Sequence, residues 1–436
     1  MYRKIYKDLI KWKNNQFRKP LILQGARQVG KTYIVNIFGE KEYENVAYFN
    51  FEKDEELKNI FADLNPRKIV ERLEYLRRTK IVEGSTLIIF DEIQACPRAL
   101  TSLKYFNEEA NGFHIIALGS LLGVAVNREQ FSFPVGKVEF KTMYAMDFEE
   151  FLLALGEDLL IKEIRESYSE NRAMIFHERA IELYRQFLVV GGMPEIVLSF
   201  VQNRNLVLVR EKQIDIINSY FDDMSKYNTA TEISKTRLLY RNMCIQLTKE
   251  NKKFMYKTVK ESGRASEFEN AIEWLCLSGV AGRLFRLTQV KLPFDAYASL
   301  SDFKFYVNDV GLCCALLKVL PSDVLNENEM LNDFKGGLAE NYVYNQLLIN
   351  NISAFYWVGG NNNAEIDFIV RIGGEIVPIE VKSGEHTRSR SLAEFGKQFN
   401  PNLSIRISLK NFGFENGIKS IPLYAAFCLD NGELGG

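Results

Sequence analysis

Predicted strands recur through the first third of the chain, and the segment 85–94 is a continuous apolar run that ends in Asp91 and Glu92. They lie at residues 21–23, 45–52, 85–94, 114–120 and 137–144, and segments with helical spacing separate them. A run that is apolar at nearly every position is typical of a strand buried on both faces of a parallel sheet. Strands that alternate with helices favour an open α/β sheet, whose ligand binds at the carboxyl ends of the strands.

From about residue 145 to residue 235 the pattern becomes helical, with apolar residues at helical spacing throughout 145–164. The segment 184–200 contains Gly191-Gly192-Met193-Pro194, where we expect one helix to end and Pro194 to begin the next. We interpret this region as a helical lid beside the first domain. A plain helix–turn–helix hairpin accounts for the same residues without a functional claim.

Residues 236–320 have the pattern of a small winged-helix module. An amphipathic helix at 266–280 is stopped by Gly279, and the extended runs 282–290 and 303–310 follow it as the two strands of a wing. Basic residues that suit phosphate contacts accumulate here, although glutamates dilute them: Lys252, Lys253, Lys257, Lys260, Arg264, Arg283 and Arg286. Contact with DNA and contact with a protein both stay open for this module.

The last hundred residues contain an amphipathic helix at 336–348 and two alternating strands within 361–384. Gly373-Gly374 lies between the strands and suits a two-residue hairpin turn. The pattern thus predicts an α/β chain of four parts: a parallel-sheet domain at 1–150, a helical lid at 151–235, a winged-helix module at 236–320 and a second α/β domain at 321–436.

Composition narrows the class of protein. The chain has 436 residues, of which 47% are hydrophobic and 25% charged, and its net charge is -1. Because the whole chain is not basic, any nucleic-acid binding must use a local patch. The six cysteines show no metal-binding or disulfide spacing, and the histidines (His114, His177 and His386) lie far apart. With no signal-peptide pattern and no membrane-length apolar run, we expect a cytoplasmic protein without membrane contact.

The loop after the first strand carries the pattern of a phosphate-binding loop. Gly25, Gly30, Lys31 and Thr32 fit G-x-x-x-x-G-K-[ST], between a predicted strand and a helix that includes Tyr33. Glycines let backbone N–H groups approach phosphate oxygens, and the helix N-terminus adds partial positive charge. We therefore predict that this loop, including its remaining residues Ala26, Arg27, Gln28 and Val29, binds ATP. Lys31 would contact the β- and γ-phosphates, and Thr32 would ligate Mg²⁺.

Two further strand ends carry candidate chemistry for this site. Asp91 closes the run 85–94 and would hold Mg²⁺, while Glu92 would polarise the attacking water. An acidic residue that caps a following helix is the alternative for this pair. Ser120, at the end of the run 114–120, would sense the γ-phosphate, and a turn serine is an equal alternative.

The C-terminal hairpin brings carboxylates together. With Gly373-Gly374 as the turn, Asp367 falls opposite Glu380, and Lys382 points to the same face as Glu380. Two like charges directly opposite each other destabilise a sheet, so the register predicts a cation between them. Oxygen ligands suit Mg²⁺ or Mn²⁺. A hairpin whose charges are merely solvated and paired is the alternative.

The motifs GARQVGKT, LIIFDE and IIALGS together resemble those of AAA-type P-loop ATPases. The resemblance implies that Glu92 is the catalytic glutamate and that Ser120 occupies the sensor position. Neighbouring subunits in such families often supply an arginine, which implies a homo-oligomer or a protein partner. In the segment 133–140 Lys137 stands where relatives often have Gly-Arg, so no arginine can be placed there.

The hairpin resembles the PD-(D/E)xK restriction-endonuclease-like superfamily, although the proline before Asp367 is absent. The resemblance implies that Asp367 and Glu380 hold a metal, that Lys382 orients the hydrolytic water, and that Glu340 is the glutamate of the first helix. A domain of this kind that binds without cutting is an alternative. With GGMPEIV, FYVNDVGL and GGLAENYVYNQL, the whole chain resembles bacterial and archaeal AAA-type ATPases followed by a domain of unknown function.

Taken together, the motifs predict Mg²⁺-dependent ATP binding and hydrolysis coupled to DNA binding or processing, with metal-dependent DNA cleavage by the C-terminal domain as one outcome. The alternative is a nucleotide-controlled regulatory or defence switch, whose nuclease-like domain binds a partner without cutting. Glu92 and the set Asp367, Glu380 and Lys382 separate the two hypotheses, because a switch needs neither to be chemically competent.

Overall fold

The computed structural model describes residues 1–120, 134, 136–226, 229–249, 253–326, 331–360, 364–385 and 390–432. These described residues form two compact units. The N-terminal unit comprises residues 2–144 together with 277–279, and the C-terminal unit comprises residue 1, 145–276 and 280–436. The first unit ends six residues before the predicted boundary at 150, and the three later segments pack as one body.

The N-terminal unit alternates strands and helices as the apolar runs predict. Its strands are β1 (Leu21–Gln24), β2 (Asn45–Asn50), β3 (Thr86–Asp91), β4 (His114–Gly119) and β5 (Glu139–Thr142). Its helices are α1 (Ile5–Asn14), α2 (Lys31–Glu42), α3 (Glu56–Ile60), α4 (Pro66–Arg77) and α5 (Pro97–Glu109), with a 3₁₀ turn at Ile93–Ala95. Every position of β3 and β4 is buried, which is the reason that these runs are apolar throughout.

The strands of this unit form, within the described residues, a five-stranded sheet in the order β2-β3-β4-β1-β5. All of its pairings are parallel, so the expected open α/β sheet is confirmed. Register places Asn50 beside Asp91, and Gln24 beside both Gly119 and Thr142. The carboxyl ends of β3, β4 and β1 therefore lie side by side at one edge of the sheet.

Aromatic packing supports the end of β3. The ring of Phe90 lies 5.6 Å from that of Phe51 and 5.5 Å from that of Phe61, both nearly edge-on. All three rings are fully buried. Burial of a phenylalanine contributes about 1.5–3 kcal/mol, and edge-on ring pairs add to it. Because Phe90 directly precedes Asp91, this packing holds the acidic end of the strand in place.

The C-terminal unit begins with helices and ends in a mixed sheet. Its helices are α6 (Phe148–Leu155), α7 (Asp158–Glu170), α8 (His177–Val190), α9 (Pro194–Asn203), α10 (Leu206–Lys226), α11 (Ala230–Leu247), α12 (Tyr256–Val259), α13 (Ala265–Leu277), α14 (Val310–Leu316), α15 (Pro321–Leu325), α16 (Asn332–Ile349) and α17 (Arg390–Phe399). Its strands are β6 (Ala281–Leu287), β7 (Ala298–Val307), β8 (Ala354–Val358), β9 (Glu365–Ile372), β10 (Glu375–Val381), β11 (Ser404–Ser408), β12 (Gly413–Glu415) and β13 (Ile418–Pro422). No helix among the described residues is both long and apolar enough to cross a bilayer.

The predicted break between two helices is confirmed, and a buried aspartate holds it. Helix α8 ends before Gly191, which has φ +78°, and α9 begins at Pro194. Asp309 accepts hydrogen bonds from the backbone N–H of Gly192 at 2.6 Å and from that of Leu312 at 2.8 Å. A Cβ on Gly191 would lie 2.2 Å from Asp309 Oδ1, so only glycine fits there. The motifs GGMPEIV and FYVNDVGL are thus two sides of one contact.

The two strands predicted as a wing pair with each other, but they also extend a larger sheet. β6 and β7 are antiparallel, and β6 also pairs with β8. The described strands thereby form an eight-stranded sheet in the order β12-β13-β11-β10-β9-β8-β6-β7. Backbone pairing through β8 makes the strands of the 236–320 segment continuous with those of 321–436, which composition alone does not indicate. The winged-helix assignment stays a prediction.

Several of the basic residues predicted to contact phosphate are engaged within the unit. Lys253 and Arg286 both pair with Asp302, and Lys260 pairs with Glu267 at 2.7 Å. Arg283 lies over the rings of Phe285 and Phe303. Lys252, from the same predicted patch, lies outside the described residues, as does His386. A cation that already has a carboxylate partner has less to gain from a phosphate, so these contacts weaken the prediction of a DNA-binding patch.

Candidate functional site

The loop between β1 and α2 lies at the carboxyl edge of the parallel sheet. Gly25 has φ +145°, and a Cβ on it would lie 2.1 Å from the carbonyl oxygen of Met143. Gly30 has φ +92° and directly precedes α2, whose first turn contains no acidic residue. Backbone geometry therefore requires glycine at both positions. The partial positive charge at the N-terminus of α2 faces the loop, and no acidic side chain in the first turn of the helix neutralises it.

Other residues of the loop divide between packing and exposure. Ala26 and Val29 are buried, whereas Tyr33 has about half of its surface exposed at 54%. Gln28 adopts a positive φ of 67° without being glycine. Arg3, a residue that the motif analysis missed, donates from its guanidinium to the carbonyl oxygen of Val29 at 2.7 Å. This hydrogen bond joins the residues just before α1 to the phosphate-binding loop at Val29.

Lys31 occupies the position that the motif assigns to a phosphate-binding ammonium. Its Nζ donates to the carbonyl oxygens of Gly25 and Ala26, each at 2.8 Å. The side chain thus folds back over the start of the loop. One ammonium and a helix N-terminus at the same concave turn form an anion-binding arrangement.

The side chains of Thr32 and Asp91 are hydrogen-bonded at the carboxyl edge of the sheet. The Thr32 hydroxyl donates to Asp91 Oδ2 at 3.1 Å, and the Tyr48 hydroxyl donates to the same oxygen at 2.5 Å. Asp91 Oδ1 accepts from the backbone N–H of Glu92 at 3.0 Å. Burial above all raises the pKa of Tyr48 to about 12, with Asp91 adding to the rise, so the phenol stays a donor at neutral pH.

Oxygen atoms make up this part of the site, which fits a hard cation. The Thr32 hydroxyl and the Asp91 carboxylate are adjacent, and Mg²⁺ binds through one or two protein oxygens together with water and substrate phosphates. The residues present therefore suit Mg²⁺ at this position. Tyr48 was not predicted, since its place within the apolar run 45–52 gives it the appearance of a core residue.

Glu92 follows directly, in a backbone conformation that turns the chain sharply. Its φ is +52°, and it precedes the 3₁₀ turn Ile93–Ala95. The amide of Gln94 donates to Glu92 Oε2. Burial is the main cause that raises the pKa of Glu92 above its ordinary value, while the Gln94 hydrogen bond opposes the rise. A half-buried carboxylate with a raised pKa is suited to accept a proton near neutral pH.

Ser120 completes the edge of the sheet. It follows Gly119, which pairs with Gln24 in the register of β4 and β1, so Ser120 lies level with Gly25. β4 separates β1 from β3, which places Ser120 between the loop and Asp91. Lys137, in a segment of which residues 133 and 135 lie outside the described residues, pairs with Glu108 at 2.9 Å.

The C-terminal hairpin has the predicted register. β9 and β10 are antiparallel from Glu375–Ile372 to Ile379–Phe368, and Gly373 and Gly374 both have positive φ. The next opposed pair is Asp367 and Glu380. Asp367 Oδ2 accepts from the backbone N–H of Val381 at 2.8 Å, and Glu380 Oε1 pairs with Lys382 Nζ at 3.1 Å. Glu380 Oε2 is buried, with no hydrogen-bond partner among the described residues.

A buried lysine, which the sequence analysis did not identify, lies against the same carboxylates. Lys304 on β7 is fully buried, and its Nζ lies 2.7 Å from Glu340 Oε1, 2.5 Å from Glu365 Oε1 and 3.7 Å from Asp367 Oδ1. The Tyr306 hydroxyl also donates to Glu340 Oε1. Burial alone lowers the pKa of Lys304, but the three carboxylates outweigh burial and raise it. The signal was a lysine inside the apolar run FKFYV.

The carboxylates predicted to hold a metal in this domain contact lysine ammonium groups instead. Among the described residues, no group of three or more histidine, cysteine, aspartate or glutamate side chains is arranged to hold a metal ion. The Lys304 ammonium lies against both Glu340 and Asp367, while Glu380 pairs with Lys382. The assignment of Glu340, Asp367 and Glu380 as metal ligands stays a prediction, and the cation that lies against two of these carboxylates in the structure is the Lys304 ammonium.

Comparison with known proteins identifies three regions of the chain. Residues 17–152 match a family model described as an AAA domain. Residues 181–323 and 335–426 match two domains of unknown function, DUF8612 and DUF4143. No match was found among curated proteins.

Three solved structures are similar over most of their own length. The Walker-type ATPase PABY2304 of Pyrococcus abyssi has a TM-score of 0.43 at 12% identity, and the match covers 72% of this chain and 95% of that one. The Aeropyrum pernix ORC1 protein in complex with DNA has a TM-score of 0.29 at 11% identity, covering 73% and 91%. The Thermotoga maritima RuvB Holliday junction branch migration motor has a TM-score of 0.28 at 12% identity, covering 65% and 90%.

The family match and the geometry agree on the first unit. The loop, its lysine and threonine, and the acidic end of β3 all fall within the matched residues. Residues 17–152 therefore form an AAA-type P-loop ATPase domain, and two regions that match domains of unknown function follow it.

Proposed function

We propose that this protein binds ATP with Mg²⁺ and hydrolyses it at the edge of the N-terminal sheet. The observation that carries the proposal is the contact between Thr32 and Asp91, with Glu92 next in the chain. Lys31 and the loop amides would bind the phosphates, Thr32 and Asp91 would hold the cation, and Ser120 would lie beside the γ-phosphate. The other loop residues, Ala26, Arg27, Gln28 and Val29, would contribute backbone N–H groups.

Each side chain has a separate task in hydrolysis. Glu92 orients the attacking water and takes up its proton, and Gln94 holds one oxygen of that carboxylate. Lys31 stabilises charge on the oxygens of the transferred phosphoryl group. Mg²⁺, when bound, neutralises the charge that develops on the β- and γ-phosphate oxygens. Tyr48 keeps Asp91 oriented by donating to Oδ2, so the carboxylate does not have to reorganise.

We further propose that ATP turnover is coupled to DNA binding, with a homo-oligomer or a protein partner as the working assembly. Six of the predicted cations lie within the described residues, and the ion pairs and ring contacts described above involve four of them, leaving Lys257 and Arg264 as the candidates for phosphate contact. A DNA contact of this kind would be weak and dependent on salt.

A nucleotide-controlled switch is the second candidate, and the buried Lys304 favours it. An ammonium lies against Glu340 and Asp367, and within the part of the C-terminal domain that the structure describes no group of three or more acidic, histidine or cysteine side chains is arranged to hold a metal ion for cleavage. In this candidate ATP sets the state of the protein, and the nuclease-like domain binds a partner without cutting. DNA cleavage by the C-terminal domain is accordingly not part of the proposal.

One experiment separates these functions. We would measure the steady-state ATPase rate of the full chain with no nucleic acid, with single-stranded DNA and with double-stranded DNA, each at low and moderate salt. Stimulation by either DNA, lost as salt rises, supports coupling to DNA. Lys31-dependent hydrolysis that no DNA stimulates supports the switch instead. No hydrolysis above the rate of a Lys31→Ala control would refute the ATPase proposal itself.

A further inference from the structure

The acidic cluster of the C-terminal unit, defined as Glu340, Glu365 and Asp367, surrounds one ammonium group. We propose that Lys304 is the resident cation of this cluster and takes the place of a divalent metal, so that the domain is built to work without one. The proposal concerns the C-terminal unit alone and does not rest on ATP hydrolysis.

The distances are those of an ammonium hydrogen-bonded to carboxylates. Lys304 Nζ lies 2.7 Å from Glu340 Oε1 and 2.5 Å from Glu365 Oε1, close to the range of charge-assisted hydrogen bonds. Asp367 Oδ1 is farther away, at 3.7 Å, and contributes attraction without a hydrogen bond. A magnesium ion, by contrast, needs several oxygens at about 2.0–2.1 Å in octahedral geometry.

The carboxylate oxygens that a metal would use have other partners. Glu340 Oε1 accepts from both Lys304 and Tyr306. Asp367 Oδ2 accepts from the backbone N–H of Val381, and its Oδ1 faces Lys304. Among the fully buried oxygens of the predicted set, Oε2 of Glu380 has no hydrogen-bond partner within the described residues, and one such oxygen does not make a divalent site.

Lys304 is held in position by its surroundings. The side chain is fully buried, and its Nζ lies 5.1 Å from the centre of the Tyr356 ring. Strand β7 carries Lys304 and Tyr306 on the same face, two residues apart, so both reach Glu340 on α16. Removal of the ammonium would leave buried carboxylates without a counterion, which is strongly destabilising.

The test compares divalent-cation binding in matched variants of the full chain without nucleotide. Binding of Mn²⁺ is followed by the electron paramagnetic resonance signal of the free ion, in wild type, Asp367→Asn and Glu380→Gln. We expect the three proteins to bind the same number of Mn²⁺ ions, because the nucleotide loop is common to all of them. Loss of one Mn²⁺ ion in either variant would overturn the proposal.

A second measurement removes the resident cation. Lys304→Met should melt well below wild type in EDTA, and Mn²⁺ should raise its melting temperature by more than it raises that of wild type, because the two proteins share the nucleotide loop and differ only in the acidic cluster. Lys382→Met is the matched control, and we expect a smaller loss there because that ion pair is partly exposed. A Lys304→Met protein as stable as wild type in EDTA would contradict the proposal. Should that variant not fold, the comparison of Mn²⁺ binding decides alone.

Discussion

The Thr32 hydroxyl donates a hydrogen bond to Asp91 Oδ2 at 3.1 Å, although 59 residues separate the two along the chain. In the sheet, β4 lies between β1, which leads into the loop before Thr32, and β3, which ends at Asp91. The hydrogen bond therefore spans the width of one strand at the carboxyl edge of the sheet. It joins the residue after the phosphate-loop lysine to the acidic end of β3, and these are the two protein oxygens suited to share one cation.

Replacement of Lys31 by alanine should abolish ATP binding. The ammonium that lies over the loop would be lost, and with it the charge that contacts the β- and γ-phosphates. We expect the dissociation constant for ATP to rise at least 100-fold, which corresponds to a loss of about 2.7 kcal/mol of binding free energy. Isothermal titration calorimetry measures this change. Lys41→Ala, an exposed position on the same helix, is the control and should bind as wild type does. Equal affinity of the two variants would reject the phosphate-loop assignment.

Glu92→Gln should bind ATP normally and hydrolyse it about 10²–10⁴-fold more slowly, because a positioned base contributes that much. The pH dependence gives a second readout. Burial raises the pKa of Glu92, so the carboxylate becomes protonated as pH falls through a value above the ordinary one. We therefore expect the turnover rate of wild type to fall on that acidic limb. An acidic limb retained in Glu92→Gln would assign the titration to another group.

Tyr48→Phe should lower the apparent affinity of the ATPase reaction for Mg²⁺ while leaving the fold unchanged. The phenylalanine keeps the ring but removes the hydroxyl that orients Asp91 Oδ2. A hydrogen bond to a charged group contributes about 1.5–3 kcal/mol, so roughly ten times more Mg²⁺ should be needed for half-maximal rate. Tyr75→Phe, at a position that is 88% exposed, should change nothing. Identical Mg²⁺ titrations of the two variants would remove Tyr48 from the site.

Gly25→Ala should destabilise the N-terminal unit and abolish ATP binding. The new Cβ would lie 2.1 Å from the carbonyl oxygen of Met143, so the backbone must shift. Gly84→Ala provides a control for positive φ alone, since φ there is +76° and a Cβ would meet no atom within 4 Å. We expect it to cost about 1 kcal/mol and to keep nucleotide binding. Chemical denaturation and nucleotide titration of both variants test this, and equal losses would show that close approach does not matter.

Asp309→Asn should destabilise the C-terminal unit by about 1–3 kcal/mol, because one of two buried N–H groups loses its acceptor. Burial raises the pKa of Asp309 from 3.8 to about 6, and three backbone hydrogen bonds only partly oppose the rise. The folded state therefore binds the proton more tightly, and the contribution of Asp309 to stability falls as pH rises through this window.

Urea unfolding at pH 5 and pH 7 measures this effect. The difference in unfolding free energy between the two pH values should be smaller in Asp309→Asn than in wild type. Asp222→Asn, on the exposed face of α10, is the control and should retain the wild-type difference. A wild-type pH dependence that Asp309→Asn fully retains would show that another group titrates.

Local patterns along the chain were sufficient for the strands, the phosphate loop and the hairpin register. Strands buried on both faces must be apolar at every position, Gly25 and Gly30 are required by backbone angles, and the turn at Gly373-Gly374 determines which residues face each other across β9 and β10. Each of these features depends on residues that are close in sequence, so the local pattern of residue types is enough to predict it.

Tertiary structure alone decided which distant side chains meet. Tyr48 reaches Asp91 because β2 and β3 are neighbours, and Lys304 reaches Glu340 across 36 residues because β7 and α16 pack together. Neither residue carries a motif, and both stand inside apolar runs, where sequence analysis takes a side chain for core. The charges around a buried side chain come from several elements that folding brings together. The sequence therefore does not reveal that Lys304, a lysine within a strand, is the counterion of three carboxylates.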